Sequence, residues 1–240
     1  MKRKNFKLLD KYKGLIEIIQ NISLSIMAII VSVVSCDISN RQLDLEYRLT
    51  KPIFEIDEYQ IRNDSTGYFD NNRIKISNTG GVSNNINISL LTFIEFELTD
   101  SLHNSKLINY NIFNYYGTTF TNGTLYGVLE EKVGYDNNKK FVSFSNEIEE
   151  KLKEKYRFQF VFIDLIKILE IQYKDINNSL KKEFYSVNVN KVTKLNDTAA
   201  SYFEEFSILQ EQGKYVDLTD FETINYDSLS YKLMKEFYND

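Results

Sequence analysis

Hydrophobic and polar residues alternate along the middle of the chain, and the alternation is sharpest between residues 86 and 98. Apolar side chains occupy even positions there: Ile86, Ile88, Leu90, Ile94, Phe96 and Leu98. Polar side chains occupy odd positions: Asn85, Asn87, Ser89, Glu95 and Glu97. Because successive side chains of a β-strand point to opposite sides, this period of two predicts one long strand, or two joined at a bulge, with a buried face and a solvent face.

The same period recurs from Pro52 to about Val192, with short polar turns between the segments. We expect further strands near residues 53–57, 74–77, 108–115, 124–129, 140–144, 158–162, 165–173 and 184–189. Residues 78–81 and 175–178 are predicted turns, the first with glycines able to adopt positive φ. Phe158, Phe160 and Phe162 should share one face of their strand.

One short helix interrupts the predicted strands. Ser145 is a candidate N-cap, and Ile148, Leu152 and Tyr156 follow at helical spacing. About eight strands with so little helix between them favour a mainly β fold, an antiparallel β-sandwich, over a parallel α/β fold.

Residues 194–240 change to a helical period. The first apolar stripe ends before Gly213, a natural residue after a helix, and consists of Ala199, Tyr202, Phe203, Phe206 and Leu209. The second follows Asp227, its expected cap, and consists of Leu229, Leu233, Met234 and Phe237. We expect two helices that pack on one face or one open edge of the sandwich, in preference to a partner-binding arm.

The segment at residues 15–36 predicts a membrane anchor. Residues 22–36 carry no charge, and the 19 residues from Ile18 to Cys36 would form a helix of about 28 Å, close to the hydrocarbon thickness of a bilayer. The basic residues in front of it are typical of a membrane segment and not of a buried core helix. The helix is expected to continue through a polar extension towards Pro52, since the residue before proline disfavours the α conformation.

A lipoprotein signal is the alternative interpretation of this segment. Val33-Val34-Ser35-Cys36 fits the pattern of a bacterial lipobox, which makes Cys36 a candidate for lipidation. Glu17 and the helix-compatible residues 37–50, which lack the glycine of a flexible tether, favour a transmembrane helix. The chain therefore divides into a basic tail (1–14), the span with its extension (15–50), a β-sandwich domain (51–193) and a helical segment (194–240).

Charge is distributed unevenly between the tail and the rest of the chain. Residues 1–14 hold six basic residues and one acid, a net charge of +5, so residues 15–240 sum to −10 in a chain of net charge −5. A domain that acidic is a poor ligand for phosphate backbones, so no nucleic-acid partner is expected. Three basic residues, Arg41, Arg48 and Lys51, follow the span. The excess of six over three predicts a cytoplasmic tail and a domain outside the cytoplasm.

No catalytic, cofactor-binding or metal-binding arrangement is visible in the sequence. The single Cys and single His exclude the common zinc sites, and His103 lies in a polar loop without a nucleophile motif. The adjacent acids Glu130-Glu131 and Glu149-Glu150 diverge in a strand or a helix, so neither forms a glycosidase pair. We expect no cofactor and no enzymatic activity.

Aromatic residues cluster around a loop rich in Gly, Thr and Asn. They are Tyr110, Tyr115, Tyr116, Phe120 and Tyr126. Tyrosine provides contact area at low entropy cost and suits carbohydrate or protein binding, so these residues are candidate ligand contacts. Ordinary packing inside the sandwich is the alternative.

The order of these features carries a resemblance. A span and a short polar helix come first, followed by a first strand at Lys51-Pro52-Ile53-Phe54 and then by the segment Ile74-Lys75-Ile76-Ser77-Asn78-Thr79-Gly80-Gly81. This order resembles that of bacterial single-span membrane proteins with immunoglobulin-like β-sandwich domains. It covers about residues 20–100 and implies a fold and a location, with no activity attached.

These features together predict a single-pass protein of the cell membrane. Its domain is expected to be an interaction or binding module for a protein or glycan at the cell envelope. A carboxylate-dependent envelope hydrolase is one alternative, and an anchored sensor or effector of a defence or phage system is another.

Overall fold

A computed structural model describes residues 3–121, 126–175, 177–189, 191–219 and 223–239. The helices are α1 (Arg3–Thr50), α2 (Asn137–Tyr156), α3 (Ser201–Glu211) and α4 (Tyr226–Tyr238), with a 3₁₀ turn at Asp197–Ala200. The strands are β1 (Phe54–Arg62), β2 (Phe69–Asn78), β3 (Asn84–Thr99), β4 (Ser105–Phe113), β5 (Thr118–Thr121), β6 (Gly127–Val133), β7 (Phe160–Lys174), β8 (Leu180–Asn188), β9 (Lys191–Leu195) and β10 (Tyr215–Asp217). The chain divides into two compact units, Met1–Thr50 and Lys51–Asp240.

The first unit is the helix α1, 48 residues long, or about 72 Å. Its stretch Tyr12–Glu46 contains a window that is apolar enough to cross a membrane, and none of that window is buried inside the protein. The hydroxyls of Ser25 and Ser32 each donate to the carbonyl four residues earlier, at 2.8 Å, so these polar side chains are satisfied within the helix. Among the described residues, α1 is the one helix with this composition.

The second unit is mainly β and contains two sheets. A four-stranded sheet has the order β1-β2-β6-β5, and a six-stranded sheet has the order β10-β4-β3-β7-β8-β9. The pairings are antiparallel except that of β10 with β4, which is parallel. The predicted hairpin is present, because β7 and β8 pair through the turn after Lys174.

Strand β3 lies at the centre of the six-stranded sheet and confirms the predicted alternation. Ile94, Phe96 and Leu98 are fully buried on one face. On the opposite face Phe93 is also buried, because α3 packs over it. The solvent face expected from the odd positions is therefore covered along part of its length.

Three apolar clusters hold this unit together. The first lies between the six-stranded sheet and the helices α2 and α4. The second combines both sheets, with Ile74 and Ile76 of β2 against Leu169 and Ile171 of β7. The third lies under α3 on the other face of the six-stranded sheet. The two C-terminal helices thus cover opposite faces of one sheet, where a single covered face or edge was expected.

Three local predictions were wrong: the strand at 140–144, the N-cap at Ser145 and the N-cap at Asp227. Residues 140–144 are helical, and α2 begins at Asn137, so Ser145 is not its N-cap. The apolar stripe extends back from Ile148 to Phe144, both fully buried, and this longer stripe stabilises the helix against the sheet. The N-cap of α4 is Asn225 and not Asp227, because the Asn225 side chain accepts a hydrogen bond from the Ser228 amide at 2.9 Å.

Two glycines are required for different reasons. Gly213 has φ +67° and follows α3, as predicted for a residue after a helix. Gly80 does not have a positive φ, contrary to expectation. A Cβ at Gly80 would lie 2.5 Å from the backbone nitrogen of Ile53 and 2.5 Å from the carbonyl oxygen of Lys51, so close backbone approach explains this glycine.

Candidate functional site

A polar pair interrupts the apolar inner face of the six-stranded sheet. Thr92 of β3 lies directly opposite Lys167 of β7 in the antiparallel register. The next pairs on either side are apolar, Leu90 with Leu169 and Ile94 with Leu165. Thr92 and Lys167 are nonetheless buried. On this face of the sheet they lie between the residues of the first apolar cluster and those of the second.

Glu58 of β1 neutralises this lysine from the opposite sheet. Its Oε1 lies 2.5 Å from the Lys167 Nζ, and the two side chains are 0% and 4% exposed. The hydroxyl of Tyr116 donates to the same oxygen at 2.8 Å. None of the described residues donates to the other oxygen, Oε2, which is also buried. The carboxylate therefore joins the two sheets through one oxygen with two donors.

Tyr115 and Tyr116 surround this carboxylate. Their ring centroids are 4.9 Å apart in an edge-on arrangement. Burial raises the pKa of both phenols, and the Glu58 carboxylate raises each pKa further. Both hydroxyls thus stay protonated at neutral pH, and that of Tyr115 accepts a hydrogen bond from the Asn72 side chain at 2.8 Å.

A cavity of about 150 Å³ adjoins this cluster, with Thr92, Tyr116 and Lys132 in its lining. Lys132 forms an ion pair with Glu130, with 2.5 Å between its Nζ and the Glu130 Oε1. The volume is below the roughly 300 Å³ at which ligand pockets begin. The ionised groups near it are paired with each other, so this cluster is suited to holding the sheets in register and not to acid–base chemistry.

A larger groove lies between α4 and the edge formed by β4 and β10. It consists of two cavities of about 280 and 350 Å³ that share Tyr110, Gly213 and Lys232 in their linings. Tyr110 is only 3% exposed, and its ring contacts Phe96 edge-on at 5.8 Å between centroids. We call this feature the Tyr110 groove, because this side chain is common to both of its parts.

The remaining lining of the Tyr110 groove combines apolar, polar and charged side chains, with three lysines against two carboxylates, Asp217 and Glu236, the second of which forms an ion pair with Lys214. Asn225 and Ser228 line one part near the start of α4, and Lys214 and Lys235 line the other. Burial, and then the Glu236 carboxylate, raises the pKa of Tyr110, so its phenol is protonated at neutral pH. The groove therefore combines aromatic side chains, hydrogen-bonding groups and a small excess of positive charge.

The aromatic residues singled out in the sequence do not form one surface. Tyr115 and Tyr116 meet at the interior cluster, while Tyr110 reaches the groove. Tyr126 is 60% exposed, and the side chain of Phe120 in β5 lies outside the described residues. Cys36 is exposed on α1.

The acids considered for catalysis are not paired with each other. Glu130 contacts Lys132, and Glu149 contacts Lys153 at 2.5 Å. Within the described ranges, no group of three or more His, Cys, Asp or Glu side chains is placed to hold a metal ion. His103 lies in the turn between β3 and β4 with φ 65°.

Sequence reasoning missed Glu58 and Lys167. The signal was present, because each is the single charge on an apolar face: Lys167 lies between Leu165 and Leu169, and Glu58 follows Ile56 at a spacing of two. A charge at such a position predicts either a register change or a buried partner.

The sequence matches no protein-family model and no curated protein. Among solved structures, a crystal structure assigned to an ApaA protein of Bordetella pertussis aligns with 60% of this chain and 98% of its own length, at 8% identity and a TM-score of 0.17. A likeness at that score carries no argument about fold or function.

Proposed function

We propose that this protein is a membrane-anchored binding module whose β domain presents the Tyr110 groove to an anionic glycan outside the cytoplasm. The observation that carries the proposal is the groove itself. The larger of its two parts, about 350 Å³, falls within the size range of small-ligand sites, which begins at roughly 300 Å³, and the part of about 280 Å³ adjoins it. The lining of the groove combines two tyrosine rings with several polar side chains, as ligand sites do.

The chemistry of the groove favours a charged sugar over an apolar ligand. The half-exposed ring of Tyr215 provides aromatic surface for a sugar ring, and Asn225 and Ser228 provide hydrogen-bonding groups. Lys232 lines both parts and Lys235 lines one. Lysine donors favour a carboxylate or phosphate group on the sugar.

Anchoring by a transmembrane helix is supported by the exposed apolar window of α1. The helix continues through Cys36 to Thr50, as a span with a polar extension requires and as a lipoprotein cleaved before the cysteine does not. The six basic residues before the span, against three after it, favour a domain outside the cytoplasm.

We also propose that the two sheets form a β-sandwich, in the sense of the immunoglobulin-like resemblance. The support is the second apolar cluster, to which β1, β2 and β6 of one sheet and β7 and β8 of the other contribute side chains. The ion pair between Glu58 and Lys167 joins the same two sheets.

Binding is tested by calorimetric titration of the full chain in phosphatidylcholine nanodiscs with oligogalacturonate. Neutral malto-oligosaccharide of equal length serves as the matched ligand. Lys232→Ala should weaken binding about tenfold, because one charge-assisted hydrogen bond is lost. Lys139→Ala, an exposed lysine of α2, is the control variant and should leave binding unchanged. Equal binding of both sugars, or equal effects of both variants, would contradict the proposal.

Sidedness is tested by adding protease to cells stripped of their wall. The β domain should be removed, leaving the tail and span as a protected fragment. Changing Lys2, Arg3, Lys4 and Lys7 to neutral residues should scramble this protection, because the charge excess next to the span is lost. A domain fully protected in intact cells would instead place it in the cytoplasm.

A further inference from the structure

The outer face of the six-stranded sheet is only half covered. Helix α3 packs over Phe93 of β3 and Ile168 of β7, and Leu209 of α3 is buried there. Towards the other end of the same strands, the side chains on this face are open to solvent. The register there places Leu107 and Phe162 on either side of Glu97, and Phe160 opposite Thr99.

Three large apolar side chains occupy this uncovered end. Phe160 is 60% exposed, and Phe162 and Leu107 are each 59% exposed. Phe160 and Phe162 lie on β7 and Leu107 lies on β4, the two strands that flank β3, and Glu97 of β3 lies between Leu107 and Phe162. Apolar side chains clustered on one rigid sheet face are typical of an interaction surface, whereas single exposed ones are ordinary.

Carboxylates lie beside these apolar side chains, Glu97 between Leu107 and Phe162 and two more in the neighbouring row of the sheet. Glu95 and Asp164 are directly opposed across β3 and β7, an arrangement that is unfavourable for two like charges. Glu205 of α3 lies at the boundary, where its carboxylate accepts from Asn109 at 2.8 Å. Burial, followed by Asp164, Glu97 and Glu205, raises the pKa of Glu95.

The negative charge of this surface has no cationic partner among the residues that the structure describes. No lysine or arginine among them forms an ion pair with Glu95, Glu97, Asp164 or Glu205. Two other glutamates of the same domain do have cationic partners, Glu170 with Lys182 at 2.9 Å and Glu183 with Lys194 at 2.7 Å. The exposed patch, defined as Leu107, Phe160, Phe162, Glu95, Glu97 and Asp164, thus combines apolar area with unpaired negative charge.

We infer that the exposed patch docks a basic amphipathic segment of a partner protein. Apolar side chains of that segment would cover Phe160 and Phe162, and its lysines or arginines would pair with the carboxylates. A membrane surface does not fit, because bilayers carry anionic headgroups that the carboxylates repel. A second copy of the same face does not fit either, because symmetric docking would oppose carboxylates to carboxylates.

This surface lies on the face opposite to Tyr110, since odd and even residues of paired strands point to opposite sides. The inference therefore goes beyond glycan binding, and either site can fail without the other.

The test uses the full chain in phosphatidylcholine nanodiscs, with empty nanodiscs as the blank. The probe is a synthetic peptide of alternating lysine and leucine, and the matched peptide has glutamate in place of lysine. We expect saturable binding of the lysine peptide that weakens as salt rises, and no binding of the glutamate peptide. Phe162→Ser and Glu97→Lys should each weaken binding about tenfold, which is the effect expected when an interface residue that contributes substantially to affinity is removed.

Two control variants match these changes in chemistry and exposure. Leu180→Ser removes an apolar side chain that is 60% exposed on β8, and Glu204→Lys reverses an exposed charge on α3. Both should bind the lysine peptide like the parent. Since Phe162 and Glu97 are exposed, their variants should keep the parent's circular dichroism spectrum. Equal loss in the control variants, equal binding of the two peptides, or binding to phosphatidylserine vesicles that Phe162→Ser abolishes would each overturn the inference.

Discussion

The buried ion pair between Glu58 and Lys167 makes a quantitative prediction about stability. Lys167→Met removes the cation and leaves the Glu58 carboxylate with a single donor, Tyr116, in an interior where its side chain is 0% exposed. Removing one partner of a buried pair costs about 3–5 kcal/mol, because the remaining charge is uncompensated. Glu58→Leu alone should cost a similar amount, since Lys167 is then unpaired.

Replacing the whole group should cost far less than replacing one member. The double variant Glu58→Leu with Lys167→Met leaves only the Tyr116 hydroxyl without an acceptor, a cost of about 1–3 kcal/mol. Adding Tyr116→Phe removes that hydroxyl and should bring stability to within about 1 kcal/mol of the parent. The two single changes are therefore strongly non-additive.

Urea unfolding followed by circular dichroism measures these differences. The fragment 51–240 is suitable, because all three apolar clusters draw on residues after Lys51. Its spectrum should be dominated by β structure. The reasoning is refuted if Lys167→Met costs less than about 1 kcal/mol, or if the triple variant is less stable than Lys167→Met.

Three further predictions concern other parts of the chain. Gly80→Ala should destabilise the fragment by about 1–3 kcal/mol in urea, because its Cβ would lie 2.5 Å from two backbone atoms, whereas Gly117→Ala, with nothing within 4 Å, should not. Burial raises the pKa of Glu183, but hydrogen bonds from Lys194 and two tyrosines outweigh it and hold the pKa below 4.5. The stabilisation that the ionised Glu183 provides is complete above pH 4.5 and is lost as pH falls through its lowered pKa. The difference in unfolding free energy between the parent and Glu183→Gln should therefore shrink in acid, and a difference that stays constant with pH would contradict this. Cys36→Ser should leave the size and membrane fractionation of the full chain unchanged, and failed processing would support a lipoprotein instead.

Local pattern determined much of the mainly β architecture. The alternation at residues 86–98 specified a strand and the side of it that is buried, because a period of two has no helical equivalent. The long apolar helix at the N-terminus was equally clear from composition and length. Residues 140–144, which belong to α2, were predicted as a strand, because Phe141 and Phe144 gave too short an apolar pattern to distinguish the two periods.

Tertiary structure alone decided which faces are covered and which charges are paired. Phe158, Phe160 and Phe162 were expected to share one strand face, yet Phe158 precedes β7 and is buried against Phe237 of α4 in the first cluster. Phe160 and Phe162 lie on the part of the outer face that α3 does not cover, and they are exposed. Lys167 is buried because Glu58, 109 residues away, comes from the other sheet. Periodicity is a property of neighbouring residues, whereas coverage and charge pairing depend on segments that are distant in the chain, and no local pattern encodes them.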